Sequence, residues 1–320
     1  MNTNAMLDKV KYPSGYQTLT TILDRLDEII LGKRETLELA LCCLIARGHL
    51  LIEDRPGVGK TTLAHALAKI LGFQFKRIQF TSDLLPADII GFNYFDKNEQ
   101  CFHLRQGPIF SQIVVADEVN RATPKTQSAL LEAMEERQVT IEGERYPLPD
   151  PFFVIATQNP SSQLGTFPIP ESQLDRFLMK IRLGYPHPKA EKDLLLGEQR
   201  RTLIEDLSPQ LVTTQALTTI QQEADSIHAS ETLVQYILTL LEHSRQSEHF
   251  NDGLSPRAGI ALLQSSKAMA LIQGRQHVMP EDVQRVLPAV AGHRLRSADQ
   301  WQAHEERAMI DKLLDLPIPR

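Results

Sequence analysis

Residues 53–62 read Glu53-Asp54-Arg55-Pro56-Gly57-Val58-Gly59-Lys60-Thr61-Thr62. An apolar β-type run, His49–Glu53, precedes them, and a helical pattern follows over Thr61–Leu71 with Gly72 as its stop. A strand, a glycine-rich turn and a helix opening on Gly-Lys-Thr form a phosphate-binding loop. Gly57 and Gly59 let the backbone curl until successive N–H groups point at phosphate oxygens, and the positive end of the helix dipole reinforces them. Lys60 is suited to bridge β- and γ-phosphates, and the Thr61 hydroxyl to ligate Mg2+. Pro56, Val58 and Thr62 complete the expected binding stretch. The full pattern, G-x-x-x-x-G-K-[ST], begins with glycine where this chain has Asp54. Asp tolerates turns well, so its carboxylate is expected to face away from the phosphates.

Working outward, a second strand ends in acids: Ile113-Val114-Val115-Ala116-Asp117-Glu118. Carboxylates at the C-terminal edge of a buried strand sit where α/β sheets bind ligands. Asp117 is the candidate Mg2+ ligand and Glu118 the candidate general base for an attacking water. A third run, Phe152–Thr157, ends in Gln158-Asn159-Pro160, where Asn159 could hold that water or the γ-phosphate. Read locally, Asn-Pro is a turn start. Further β-type runs are Phe75–Phe80 and Phe177–Leu183, and Pro124–Gln138 reads as a helix with Thr123 at the N-cap. Runs such as IVVAD and FFVIAT are apolar almost throughout, the mark of parallel strands covered on both faces. An α/β layered domain follows.

Tyr185-Pro186-His187-Pro188 breaks regular structure, and from Ala190 to about Arg296 helical periodicity takes over. Leu233, Ile237, Leu240 and Leu241 share one helix face, a bundle core. Ser255 reads as an N-cap with Pro256 in the first helical position. The division expected is 1–184 for the α/β domain with an N-terminal helical segment, 185–298 for a small all-α domain, and 299–320 for a terminal helix and tail. Trp301 is expected to pack against the all-α part.

The 320 residues carry 34 basic and 40 acidic side chains, a net charge of −6. No basic run exceeds two residues, which argues against a life on nucleic acid. No apolar run reaches the roughly 20 residues that span a bilayer, so membrane insertion is not expected. The three cysteines, Cys42, Cys43 and Cys101, suit a reducing cytoplasm rather than a disulfide framework. The ten histidines show no zinc-type spacing.

Together, GVGKTT, ADEVNRATPKTQSALLEAMEERQVTIEG (116–143), IATQNP (155–160), PESQLDRFLMKIRLGYP (170–186) and SPRA (255–258) resemble an AAA+ ATPase of the MoxR family. The resemblance spans about residues 20–300. It implies an αβα P-loop NTPase domain with parallel sheet order 5-1-4-3-2, followed by a helical lid. It implies Mg2+-dependent ATP hydrolysis in a ring of hexameric type that remodels or matures client proteins, among them von Willebrand A-domain proteins. Asn159 then matches sensor 1. Arg176 matches an arginine finger acting on the neighbouring subunit's nucleotide, and Arg257 a sensor 2 that reaches its own subunit's γ-phosphate. Asp88–Phe110 corresponds to the helix-2 insert and Val139–Pro147 to a pre-sensor-1 hairpin. Without the resemblance, Arg176 beside Asp175 reads as a surface ion pair, and Arg121 is a weaker candidate for an interface. Two other function classes share this core: a nucleic-acid motor or helicase loader, and a nucleotide-gated scaffold that does not hydrolyse.

Overall fold

The computed structural model describes residues 12–55, 57–159, 165–186, 188, 190–192, 213–297 and 305–318. Pro56, Pro160, His187 and Trp301 lie outside them. Helices α1 (Tyr16–Ile29) and α2 (Arg34–Ile45) precede β1 (Leu50–Glu53), and α3 (Lys60–Leu71) leads to β2 (Phe75–Gln79). A short α4 (Pro86–Ile90) then opens a hairpin of β3 (Gly91–Asp96) and β4 (Cys101–Gln106). Next come β5 (Ile113–Asp117), α5 (Pro124–Glu136), a second hairpin of β6 (Gln138–Ile141) and β7 (Glu144–Pro147), and β8 (Phe153–Gln158). The short α6 (Glu171–Leu174) and β9 (Met179–Ile181) close the α/β part.

The central sheet runs β2-β5-β8-β1-β9, parallel throughout. Numbering only these five strands by chain order gives 5-1-4-3-2. The register explains why the strands read as unbroken apolar runs. Successive side chains point to opposite faces, and here both faces are covered. Ile113, Val115, Phe153 and Ile155 join the cluster under α1, α2 and α3, while Val114, Ala116, Val154 and Ala156 join the cluster with α5 residues such as Leu130, Leu131 and Met134. The helix after the loop starts at Lys60 and ends at Gly72, whose φ of 67° supplies the left-handed cap.

Among the described residues, the helices that follow are α7 (Thr214–Ser226), α8 (Glu231–Gln246), α9 (Pro256–Ile272), α10 (Pro280–Ala291) and α11 (Glu305–Leu314). Leu233, Ile237, Leu240 and Leu241 form the buried stripe of α8. Ser255 caps α9, its Oγ accepting from Ala258 N at 3.2 Å. This part is not purely helical. Phe250–Asp252 (β10) and Arg296–Ser297 (β11) pair as a two-stranded antiparallel ribbon, too short to leave a periodicity in the sequence.

The helical part does not hang from a linker. Its buried residues, including Leu240, Leu262 and Val286, belong to the same apolar cluster as Leu50, Ile113 and Ile155 of the sheet. Helix α9 packs on α2, and Cys42 Sγ donates to Ser265 O at 3.1 Å. At the sheet edge, α11 is clamped through Glu306, which takes Lys180 Nζ at 2.9 Å and an Arg182 nitrogen at 2.8 Å. Glu53 joins this network: burial works to raise its carboxyl pKa, but Lys180, Arg182 and Gln158 outweigh that and hold it below the usual value.

Candidate functional site

The loop after β1 turns through Gly57 (φ 86°) and Gly59 (φ 95°), conformations that a side chain disfavours. A Cβ at either position would meet nothing within 4 Å, so the glycines line an open cradle rather than a packed turn. Asp54 Oδ2 accepts Gly184 N–H at 2.6 Å and its Oδ1 accepts Arg55 N–H at 2.8 Å. Its carboxylate is spent on the strand exit and on the segment after β9. The first-glycine replacement is thus a structural tie.

Lys60, the first residue of α3, is buried at 7% exposure. Its Nζ donates to Asn159 Oδ1 at 2.9 Å, to Gln158 O at 3.0 Å, and to Asp54 O. Burial lowers its pKa, and Asp54, Glu118, Asp117 and Glu53 oppose that effect. Thr61 Oγ1 lies 3.2 Å from each carboxylate oxygen of Asp117. A hydroxyl beside a carboxylate is the hard oxygen set that Mg2+ prefers.

Glu118 stands at the tip of β5 with φ 56° and ψ 46°, a left-handed conformation that is uncommon for a residue with a side chain. Its N–H donates to Thr157 Oγ1 at 3.0 Å. The turn aims its carboxylate across the sheet's end, where Oε1 accepts from Asn159 Nδ2 (3.1 Å) and Oε2 from Gln79 Nε2 (3.1 Å) and Arg121 Nη1 (3.0 Å). Arg121 is therefore engaged within its own chain. Asn159 links Lys60 to Glu118, and its backbone carbonyl is held by Asn120 Nδ2 at 2.9 Å. Gly57, Gly59, Lys60, Thr61, Thr62, Asp117, Glu118 and Asn159 thus line one pocket of about 300 Å3. Val58 sits beside it, partly buried against the core.

Three residues of this pocket were missed by sequence reasoning. Arg77 Nε donates to Asp117 Oδ2 at 2.6 Å, Thr157 Oγ1 donates to Asp117 Oδ1 at 3.0 Å, and Gln79 holds Glu118 as above. Only the pairing of β2 with β5, Gln79 opposite Asp117, brings two of them in, and register is not written in either strand alone.

Arg176 and Arg257 lie elsewhere. Arg176 Nε is 2.9 Å from Glu135 Oε2 and Arg257 Nη1 is 3.1 Å from Glu135 Oε1, with Arg257 Nε 3.9 Å from Asp175 Oδ2. Both line a separate groove of about 280 Å3 together with Arg294. The resemblance assigns Arg257 to its own subunit's γ-phosphate; in this structure its partners are Glu135 and Asp175. Its helix turn packs on α5 and the segment before β9, because the helical part is fused to the α2 side of the sheet. Arg294, also missed, reaches from the end of α10 to hold the chain on either side of Arg176. It donates to Asp175 Oδ1 (2.6 Å), Asp175 O (3.2 Å), Phe177 O (2.7 Å) and Leu178 O (3.1 Å).

Residues 49–179 match the family model described as ATPase family associated with various cellular activities (AAA), and residues 242–313 match an AAA lid domain. The chain is 39% identical to Chaperone MoxR1 of Mycobacterium tuberculosis over 87% of its own length and 75% of the relative's. It is 30% identical to Protein MoxR of Paracoccus denitrificans over 92% and 94%. The chain belongs to the MoxR family of AAA ATPases. Another relative, uncharacterized protein YeaC of Bacillus subtilis, is 45% identical over 93% of this chain and 94% of its own. The fold matches a crystal structure from Cytophaga hutchinsonii with a TM-score of 0.83 at 35% identity, covering 95% of this chain and 96% of that one. The two MoxR domains are thus the sheet with its helices and the helical lid. Among the described residues, no helix is long and apolar enough to cross a membrane.

Proposed function

We propose that this MoxR-family protein is an Mg2+-dependent ATP hydrolase that works as a homo-oligomeric ring, hexameric by family resemblance, and couples hydrolysis to the remodelling or maturation of client proteins. The observation that carries the reading is the convergence of Lys60, Thr61, Asp117, Glu118 and Asn159 on one pocket, while Arg176 and Arg257 stand in another groove of the same chain. The loop glycines, the α3 N-terminus and Lys60 would hold the triphosphate, and Arg77 would balance the charge of Asp117. Mg2+, held by Thr61 and Asp117, would neutralise phosphate charge when bound. Glu118 would take the proton of the attacking water, with Asn159 fixing its carboxylate. Arg176, and with it Arg257, would serve a neighbouring subunit's site. Because the lid shares the sheet's core, the motion driven by hydrolysis would run through subunit contacts rather than through a free lid.

The clients are protein in nature on this reading, with von Willebrand A-domain proteins as a class to test; the relative named Chaperone MoxR1 supports a chaperone-like role. A cytoplasmic location accords with the cysteine content. The decisive test is Glu118→Gln, which keeps shape and cannot accept a proton. ATP affinity is expected to stay within a few-fold of the parent while turnover falls by at least about a hundredfold. Turnover within a few-fold of the parent would remove Glu118 as the base. Stimulation of turnover by DNA or RNA, weakening steeply with salt, would favour the nucleic-acid motor instead. ATP binding without turnover in the parent protein would favour the scaffold.

A further inference from the structure

The β3–β4 hairpin carries three donors of different chemistry at its tip. Cys101 and His103 are two residues apart on one strand and so share a face, and the turn brings Glu99 back over them. Cys101 Sγ lies 3.1 Å from His103 Nε2, and Glu99 Oε2 lies 2.7 Å from that nitrogen and 3.8 Å from the sulfur. Asp96 Oδ1 accepts the N–H groups of Asn98 and Glu99, at 2.7 and 3.3 Å, which shapes the turn that delivers Glu99. Among the described residues this is the one group of three such side chains whose ligand atoms all fall within 4.8 Å of one another.

We propose that Glu99, Cys101 and His103 form a binding site for a borderline-soft divalent cation, Zn2+ above all, separate from the nucleotide pocket. A thiolate, an imidazole and a carboxylate are the zinc ligand types, whereas Mg2+ and Ca2+ avoid sulfur. Zinc bonds of about 2.0–2.3 Å put neighbouring ligand atoms roughly 3.3–3.8 Å apart. The three atoms need to spread by only about half an ångström to admit the ion, and the side chains are free to do so, His103 and Glu99 being 39% and 64% exposed. On binding, the Cys101 S–H bond breaks, its proton goes to solvent, and the sulfur lone pair forms the S–Zn bond. The fourth position of the tetrahedron is left for water. Three ligands on one short hairpin make an accessible, reversible site, unlike a closed structural one.

The test uses the full-length protein, stripped with chelator and free of nucleotide, with Co2+ as the spectroscopic probe. One equivalent of Co2+ is expected to give a thiolate-to-cobalt charge-transfer band that Zn2+ abolishes and excess Mg2+ does not. Cys101→Ser is expected to lose the band, and His103→Ala to weaken Zn2+ binding at least about tenfold, since even outer ligands of zinc sites are worth that much. The surface position of the hairpin should leave the circular dichroism of both variants unchanged. Absence of the band in the parent protein would overturn the proposal. So would a band that survives Cys101→Ser, which would assign it to Cys42 or Cys43, or one displaced by Mg2+.

Discussion

Lys60 Nζ is gripped by three oxygens from two separate segments, Asp54 and Gln158-Asn159, and among the described loop residues it alone places a positive charge inside the pocket. Lys60→Ala removes that charge and at least two charge-assisted hydrogen bonds, each worth about 1.5–3 kcal/mol. ATP affinity is therefore predicted to drop by about a hundredfold or more, measured by equilibrium binding of a fluorescent nucleotide; undiminished affinity would reduce residues 57–61 to a structural turn. His49 makes a different point about single residues. Val154 N–H donates to its Nδ1 at 3.0 Å, so the one proton of the neutral ring must sit on Nε2, where it meets Met134 O at 3.1 Å. Burial lowers its pKa to about 4, from an ordinary 6.5, and burial pushes His293 down in the same direction. As pH falls, the unfolded chain takes up these protons first. The stability contributed by neutral His49 is thus complete above about pH 6.5 and is lost progressively toward about pH 4. The urea midpoint should fall from about pH 7 to about pH 5, and fall less in His49→Gln, whose amide can imitate both hydrogen bonds. Parallel curves for parent and variant would contradict this account of His49.

At the scale of elements, the short segment between α6 and β9 is held from outside itself. Arg294, with only 6% of its side chain exposed, satisfies Asp175 and the carbonyls on both sides of Arg176. Burial lowers its pKa, and its bonds to Asp175 oppose that shift. Truncating a buried, paired guanidinium strands its partners. Arg294→Ala is predicted to cost about 3–5 kcal/mol of stability, read from chemical denaturation, and Arg294→Lys less, because charge survives while the planar fork is lost. Because the same bonds aim Arg176, turnover should fall further than ATP affinity in the lysine variant. An unchanged unfolding midpoint in Arg294→Ala would show that the segment holds itself. These elements also mark what could be read in advance. The loop and the β5 tip were legible because each is a contiguous run whose local chemistry, strand then turn, announces itself, whereas Asn159 reads locally as a turn start and stands out only through the family resemblance. Arg77 and Thr157 were not, since they enter through strand register. Arg294 was not, because nothing near Gly292-His293-Arg294 in the chain reveals a partner more than a hundred residues away. The partners of Arg257, Glu135 and Asp175, were not legible either, because they depend on how the lid packs. The β10–β11 ribbon was invisible for want of length.

For the whole molecule, one continuous apolar cluster joins lid and sheet, and the charged chemistry is divided between two surfaces. One carries the glycine loop with Lys60, Thr61, Asp117, Glu118 and Asn159; the other carries Arg176 and Arg257 on shared acidic partners. On the proposed reading a single chain holds no complete catalytic site, so specific activity is predicted to rise with protein concentration as subunits assemble. An arginine supplied by a neighbour is worth roughly 10³–10⁵ in phosphoryl transfer, so Arg176→Ala should bind ATP and hardly turn it over. The most direct measurement mixes Arg176→Ala with Glu118→Gln, each inactive alone, after fluorescence energy transfer has confirmed that mixed assemblies form. Head-to-tail contacts then pair an intact base with an intact arginine at roughly a quarter of interfaces in an equal mixture. ATP hydrolysis is predicted to reappear at up to about that share of the parent's rate. Mixed assemblies that stay inactive, or a dilute monomer of the parent that hydrolyses ATP at the full rate, would contradict a site completed in trans.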